Sequence, residues 1–284
     1  MSVFNQVTSF NANAKVQNKT NQQKKALQDF FEAMKKANVW ILMAWQDIQF
    51  KYRRSTIGPF WITLSMAIMV YTMGFLYSYL WHLPTHDYFT YLATGMIAWN
   101  LISTILIEAT DTYLVCVGLI RQIKMPYFLY MHRMCTRNFI IFGHNILIMI
   151  PIYLIYANQF PVSMAYFLLP IHLFVLYFNA ILFSNVIAMI CARYRDIGQI
   201  IKSFIQILFF LTPVMWKMSA LPPHIQNLMQ LNPFYHYVEL IRCSLLGVYP
   251  SEMNYLMMGI FTGLGILMNQ LIFVRYRSRI VYWL

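Results

Sequence analysis

Six stretches of mostly apolar residues divide the chain: Phe60–Trp81, Phe89–Val115, Phe139–Tyr156, Tyr166–Cys191, Phe204–Trp216 and Tyr255–Val274. An α-helix rises about 1.5 Å per residue, so roughly twenty residues cross a hydrocarbon layer of ~30 Å. Runs of that length, with charge confined to the joints between them, predict membrane helices rather than a soluble core. The first is the most sharply drawn. KYRRSTIGPFW, from Lys51 to Trp61, leads into the uncharged run ITLSMAIMVYTMGFLYSYLW, which ends at Trp81. Pro59 fits the first helical turn, where its missing N–H costs nothing. Phe204–Trp216 is short for a full crossing unless its first turn begins near Ile200.

Before the first span the period changes. Leu27, Phe30, Phe31, Met34, Ile41, Trp45 and Ile48 recur at helical spacing between Lys24 and Gln49, while Lys25, Asp29, Glu32, Lys35 and Lys36 fall off that stripe. This pattern predicts an amphipathic helix over residues 24–50 lying in the membrane interface. Residues 1–23, rich in Asn, Gln, Thr and Lys, predict a disordered cytoplasmic leader and lack the apolar region of a signal peptide. Residues 51–284 form the six-span domain. Between spans five and six, Leu221–Gly247 is too polar and proline-interrupted to cross, and long enough for helices that enter the outer leaflet and return. In span six, Gly259 and Gly263 form a small-xxx-small pair, a signature of close helix packing.

Charge sets the orientation. Of the 21 Lys and Arg, 19 precede span one, lie in the second and third inner loops, or lie in the tail; only Lys217 and Arg242 fall outside. Cations concentrate in cytoplasmic flanks, which predicts both termini in the cytoplasm. The chain is 60% hydrophobic and 11% charged, against roughly 25% charged in a soluble domain. Its net charge of +12 therefore reads as a membrane border facing anionic lipid, and no nucleic-acid partner is expected. Near the inner end of span two, Glu108 and Asp111 need partners, and Arg133 and Arg137 are the obvious ones.

The chemistry is mostly one of absence. There is no phosphate-binding Gly-Lys loop, no paired carboxylate at mid-membrane and no nucleophile arrangement, so no catalytic residue is expected. Cys116, Cys135, Cys191 and Cys243 are dispersed, and neither a disulfide nor a metal site is expected. Pro84 separates His82 from His86, and Gly143, His144 and Asn145 lie inside span three without a carboxylate beside them. Uphill transport would then draw its energy from a partner, and the short basic loop Leu119–Pro126 is the best-formed docking candidate. Aromatic residues make up 17% of the chain. Tyr71, Phe75 and Tyr79 recur every four residues, and Trp81, Trp99 and Trp216 sit near the outer border. These rings fit an interfacial aromatic belt, or a path whose flat faces let a sugar polymer slide. Lys51, Arg53 and Arg54 serve as topology determinants or as an entrance for a phosphate-bearing lipid head.

KYRRSTIGPFW, LIRQIKMPYF, ARYRDI, the span ending LTPVMW, and LNPFYHYVELIR followed by LLG stand in order from Ala44 onward. In that order and topology the chain resembles the membrane subunit of ABC-2 type polysaccharide exporters, the O-antigen, capsule and teichoic-acid permeases. The resemblance implies an all-α integral membrane protein of the bacterial inner membrane that works as a homodimer with two copies of a separate ABC ATPase, which holds the ATP and Mg. It implies that Gly118–Pro126, with Leu119, Ile120, Arg121, Gln122, Lys124, Met125 and Pro126, couples to that ATPase, assisted by the interfacial helix. Spans one and five would line a path at the dimer interface, capped by the outer re-entrant pair. The cargo would be a polysaccharide on a lipid carrier such as undecaprenyl diphosphate, most simply an O-antigen. A capsule, teichoic-acid or drug exporter permease is the alternative.

Overall fold

The computed structural model describes residues 21–284 apart from 52, 54, 59, 83 and 161. The expected disordered leader lies outside the described residues as far as residue 20; residues 21–23 are already helical. Arg54 of the entrance cluster and Pro59 of the first helical turn also lie outside.

Among the described residues the fold is all helical. A helix over 21–35 (α1) bends at Lys36 into α2, Ala37–Lys51. The spanning bundle follows as α3 (Phe60–Leu80), α4 (Thr85–Val115), α6 (Tyr127–Asn145) continuing into α7 (Met149–Ile155), α8 (Leu169–Arg193) and α12 (Glu252–Met268). Between these lie the short α5 (Val117–Gln122), then α9 (Arg195–Leu211), α10 (Pro223–Met229) and α11 (Pro233–Leu246). The chain closes with a π-helical turn at Asn269–Phe273, α13 (Val274–Tyr276) and α14 (Ile280–Trp283).

Five helical runs are long and apolar enough to cross a membrane. The expected fifth span is not among them. Its helix runs over Arg195–Leu211, a full nine residues earlier than the apolar run Phe204–Trp216, and its 17 residues reach only about 25 Å. The basic stretch after span four is therefore not a loop: only Tyr194, in an extended conformation, separates α8 from α9. The third span also begins early, at Tyr127 rather than Phe139. Pro126 starts that helix, and Arg133 and Arg137 ride on it because acids neutralise them. Its interruption at Ile146–Ile148 has a local cause. Pro151 cannot donate to the carbonyl four residues back, and its ring crowds that turn.

Helix α4 is the axis of the bundle. It packs against α3, α6, α8, α9 and α11, and 72% of its most apolar window is buried, against 17% for α3 and 22% for the last span. Small residues let neighbours approach it. A Cβ on Gly74 of α3 would come within 2.9 Å of the Phe89 ring. A Cβ on Gly95 would stand 2.5 Å from the Arg242 guanidinium and 2.7 Å from the Val214 carbonyl. The Gly259/Gly263 pair departs from expectation. A Cβ on either meets nothing within 4 Å, whereas Gly265 sits against Leu182 and Phe183. The packed face of α12 is thus turned away from that pair, which faces outward.

Candidate functional site

The segment expected to couple to an ATPase, Gly118–Pro126, is anchored at both ends and open in the middle. Ile120 and Pro126 are buried, Leu119 and Met125 half-buried, and Arg121, Gln122 and Lys124 exposed. Two to three turns before it, on α4, stand Glu108 and Asp111; two to three turns after it, on α6, stand Arg133 and Arg137. Glu108 meets Arg137 at 2.6 Å. The other expected pairings differ. Arg133 grips Asp47 of α2 with two bonds, Nε–Oδ2 at 2.8 Å and Nη2–Oδ1 at 2.6 Å. Arg137 adds a third contact to Asp47 at 3.1 Å. Asp111 bonds Lys202 of α9 at 2.6 Å. A force on α5 therefore has rigid connections to α2 through Asp47 and to α9 through Lys202.

Asp29 completes this end of the molecule. Expected on the polar side of α1, it is buried, because Ala26 and Ala33 on the same face are small enough to bring α1 against the bundle. Its Oδ2 accepts from Nη2 of Arg277 at 2.6 Å and Nε at 2.9 Å. Its Oδ1 accepts from the Phe128 backbone N–H at 3.2 Å. Pro126 offers α6 no side-chain cap, so Asp29 caps that helix from 99 residues away. Burial pushes its carboxyl above the ordinary carboxylate range, with Arg277 opposing. The large apolar residues of the interfacial stripe, Leu27, Phe31, Met34, Ile41 and Trp45, face outward, as a membrane-surface helix requires.

The six aromatic residues read as a path do not converge. The Tyr71 hydroxyl donates to the Ile148 carbonyl at 2.8 Å. Phe75 and Tyr79 pack together with ring centroids 4.8 Å apart on the open face of α3. Trp81 stacks on Tyr77. Trp99 is buried against Phe209 and Phe234. The Trp216 indole donates to the Phe210 carbonyl at 3.1 Å. Every fourth residue shares a helix face, but that face is the outside of the bundle, so one chain encloses no path.

What the structure assembles instead is a lateral cleft of about 420 Å3 between α3, α4 and α9. Met66 and Met69 form one wall, Trp99, Phe209 and Phe210 the other, and Asn100, Ser103 and Gln206 supply amide and hydroxyl groups along it. Polar side chains in a membrane helix face the interior or a cavity; here they face an opening. Lys51 and Arg53 are exposed below it at the basic end.

The C-terminal end of α9 is held by buried polar groups. Non-helical backbone at membrane depth needs partners for its carbonyls. Arg242 of α11 donates to the Pro213 carbonyl at 2.8 Å and to Glu239 at 2.6 Å, and its guanidinium lies 3.8 Å over the Tyr91 ring. Tyr88 donates to the Met215 carbonyl at 3.0 Å, and the Tyr91 hydroxyl lies 2.9 Å from the Trp216 carbonyl. Arg242 was one of two cations counted outside; it is 2% exposed and serves the fold. Tyr88 and Tyr91 at the start of α4 and the Glu239–Arg242 spacing are the available signals in the sequence, but neither identifies the turn they hold.

The sequence profile of the ABC-2 type transporter family matches residues 38–246, most of the chain. The chain belongs to that family. An ABC-2 membrane domain is a permease component, so this is the transmembrane subunit of an ABC transporter and a multi-pass membrane protein. The match spans α2 to α11, and therefore both the Asp47 network and the Arg242 clamp. No curated protein matches the chain.

Proposed function

We propose that this ABC-2 subunit exports a lipid-linked polysaccharide, an O-antigen in the simplest case, across the bacterial inner membrane as a homodimer bound to two ATPase subunits. The α3–α9 cleft carries this reading. It is open in the single chain, and its Met and aromatic walls carry Asn100, Ser103 and Gln206. Two copies meeting along α3 and α9 would close it into a channel. Rings and amides there offer many shallow contacts to a sliding sugar chain. Helix α9 with the turn Thr212–Trp216 makes the sixth crossing, α10 and α11 enter the outer leaflet, and both termini are cytoplasmic by the distribution of Lys and Arg. ATP and Mg bind to the partner. Nucleotide-driven closure pushes Arg121 and Lys124, and the Asp111–Lys202 bond carries the motion to α9. Lys51, Arg53 and Arg54 receive the carrier's phosphates.

A methionine-rich wall also suits an exporter of apolar drugs, since Met66, Met69 and Met96 adapt to varied shapes. Deleting the chain in its own cell separates the two readings. Loss of surface polysaccharide with build-up of its lipid-linked form inside is expected. Intact surface polysaccharide with heightened drug sensitivity would overturn the reading.

A further inference from the structure

A second groove, of about 440 Å3, opens at the basic end on a different side of the bundle from the α3–α9 cleft. It runs between α1 and the end of the last span. Leu27, Phe30 and Phe31 form the α1 wall; Ile266, Gln270 and Phe273 form the other, with α8 beneath. The π-helical turn Asn269–Phe273 shapes the second wall. It points Asn269 inward, where its amide donates to the Leu182 and Gly265 carbonyls, and leaves Gln270 exposed at the groove. Such π turns recur at functional sites. Leu27 and Phe31 are 59% and 58% exposed, so this surface seeks an apolar occupant.

The rim is cationic. Lys24 stands at the start of α1 beside the groove residue Gln23, and Arg275 one residue beyond the groove wall at Val274, and both are exposed. The nearest acids do not cancel them. Asp29 is buried and spent on Arg277 and Phe128, and Glu32 lies further along α1, bonded to Gln28. Basic grooves beside membrane helices select anionic headgroups, and each cation near the surface strengthens that attraction.

We infer that the groove between α1 and the end of the last span is a binding site for one anionic diacyl phospholipid. An acyl chain lies along the Phe30–Phe31 wall. The Gln270 amide donates to the ester region. The phosphate is held by Lys24 and Arg275. The inference needs only a chain seated in a bilayer and stands apart from the nature of the cargo. A bound lipid would brace α1, and with it the Asp29 cap on α6.

Native mass spectrometry of the full-length protein, after exchange into phosphatidylglycerol or phosphatidylcholine of the same acyl chains, tests this. Retention of one phosphatidylglycerol per chain, with phosphatidylcholine lost at the same collision energy, is expected. The double variant K24E/R275E, altered only at exposed positions, should lower retention by about tenfold or more. Gln270→Trp, which fills the groove without touching the charges, should lower it too. Equal retention of both lipids, or undiminished phosphatidylglycerol in the double variant, overturns the inference. So does a photo-crosslinker at Phe31 that labels a second copy, the ATPase or the chain's own leader in place of lipid.

Discussion

Asp29 and Arg277, 248 residues apart, meet at 2.6 Å and tie the interfacial helix to the tail of the last span. The Asp29 side chain is fully buried while Arg277 keeps 30% of its exposure. The same carboxylate caps α6 just after the coupling segment. Three separated parts of the chain thus share one anion.

Asp29→Ala leaves a guanidinium and a helix N–H without a partner. A fully buried pair broken this way costs about 3–5 kcal/mol, and the exposure of Arg277 lowers that to roughly 2–3 kcal/mol. Asp29→Asn keeps an oxygen for Phe128 and loses only the charge, so it should fall between wild type and Asp29→Ala. Thermal unfolding in detergent ranks the three. Equal stability of the Ala and Asn variants would show that the cap contributes nothing.

The raised carboxyl of Asp29 sets a pH dependence. In the docked helix the group holds its proton more firmly than when α1 is free, where its ordinary value is 3.8. Docking is therefore favoured as pH falls from the raised value toward 3.8 and is insensitive above it. Protection of α1 from protease should rise on acidification in the wild type and stay flat in Asp29→Asn. Protection that drops on acidification would show that Arg277, not burial, controls the group.

Arg121 and Lys124 are exposed on a segment whose two ends, Ile120 and Pro126, are buried. Reversing both to Glu should abolish export while leaving membrane insertion and abundance unchanged, since neither side chain supports the fold. Surface polysaccharide and membrane fractionation read the two effects. Normal export in the double variant removes this segment from coupling.

Asp111 and Lys202 join the end of α4 to α9 at 2.6 Å. Asp111→Lys alone opposes two cations and should cut export by about tenfold or more at unchanged ATP hydrolysis, and the exchange D111K/K202D should restore much of it. A partly exposed pair contributes only up to about 1 kcal/mol to stability, so melting should shift little. Failure of the exchange to rescue would assign Asp111 a role apart from Lys202.

Hydrophobic period alone located most of the membrane helices, because continuous apolar runs have few other uses. It failed where charge sits on helices. Arg133 and Arg137 looked like loop cations, and α6 began twelve residues before its apolar run. The same error delayed α9, whose first turns carry Arg195, Asp196 and Lys202. Intrahelical period cannot reveal that Asp47 waits opposite, although charge alone pointed to the Glu108–Arg137 pair. Of the candidate site, the open face of the coupling segment was visible in its basic, amphipathic pattern. The α3–α9 cleft was not, because Asn100 and Ser103 lie on α4 while Gln206 lies on α9, more than a hundred residues later. Asp29 was hidden by its residue type: an acid among lysines reads as solvated until Ala26 and Ala33 mark that face as the inner one.

The claim on which the rest depends is that two copies meet along α3 and α9 and pass the polymer between them. The four native cysteines are buried, so single cysteines introduced at Met69 and Phe210, both exposed and both lining the cleft, report on it by oxidative crosslinking in membranes. Crosslinked dimers at these positions, with export arrested and then recovered on reduction, are the expected result. Crosslinking instead at Leu256 or Ile260 on the outer face of α12, with Met69 and Phe210 remaining monomeric and export undisturbed, would contradict it.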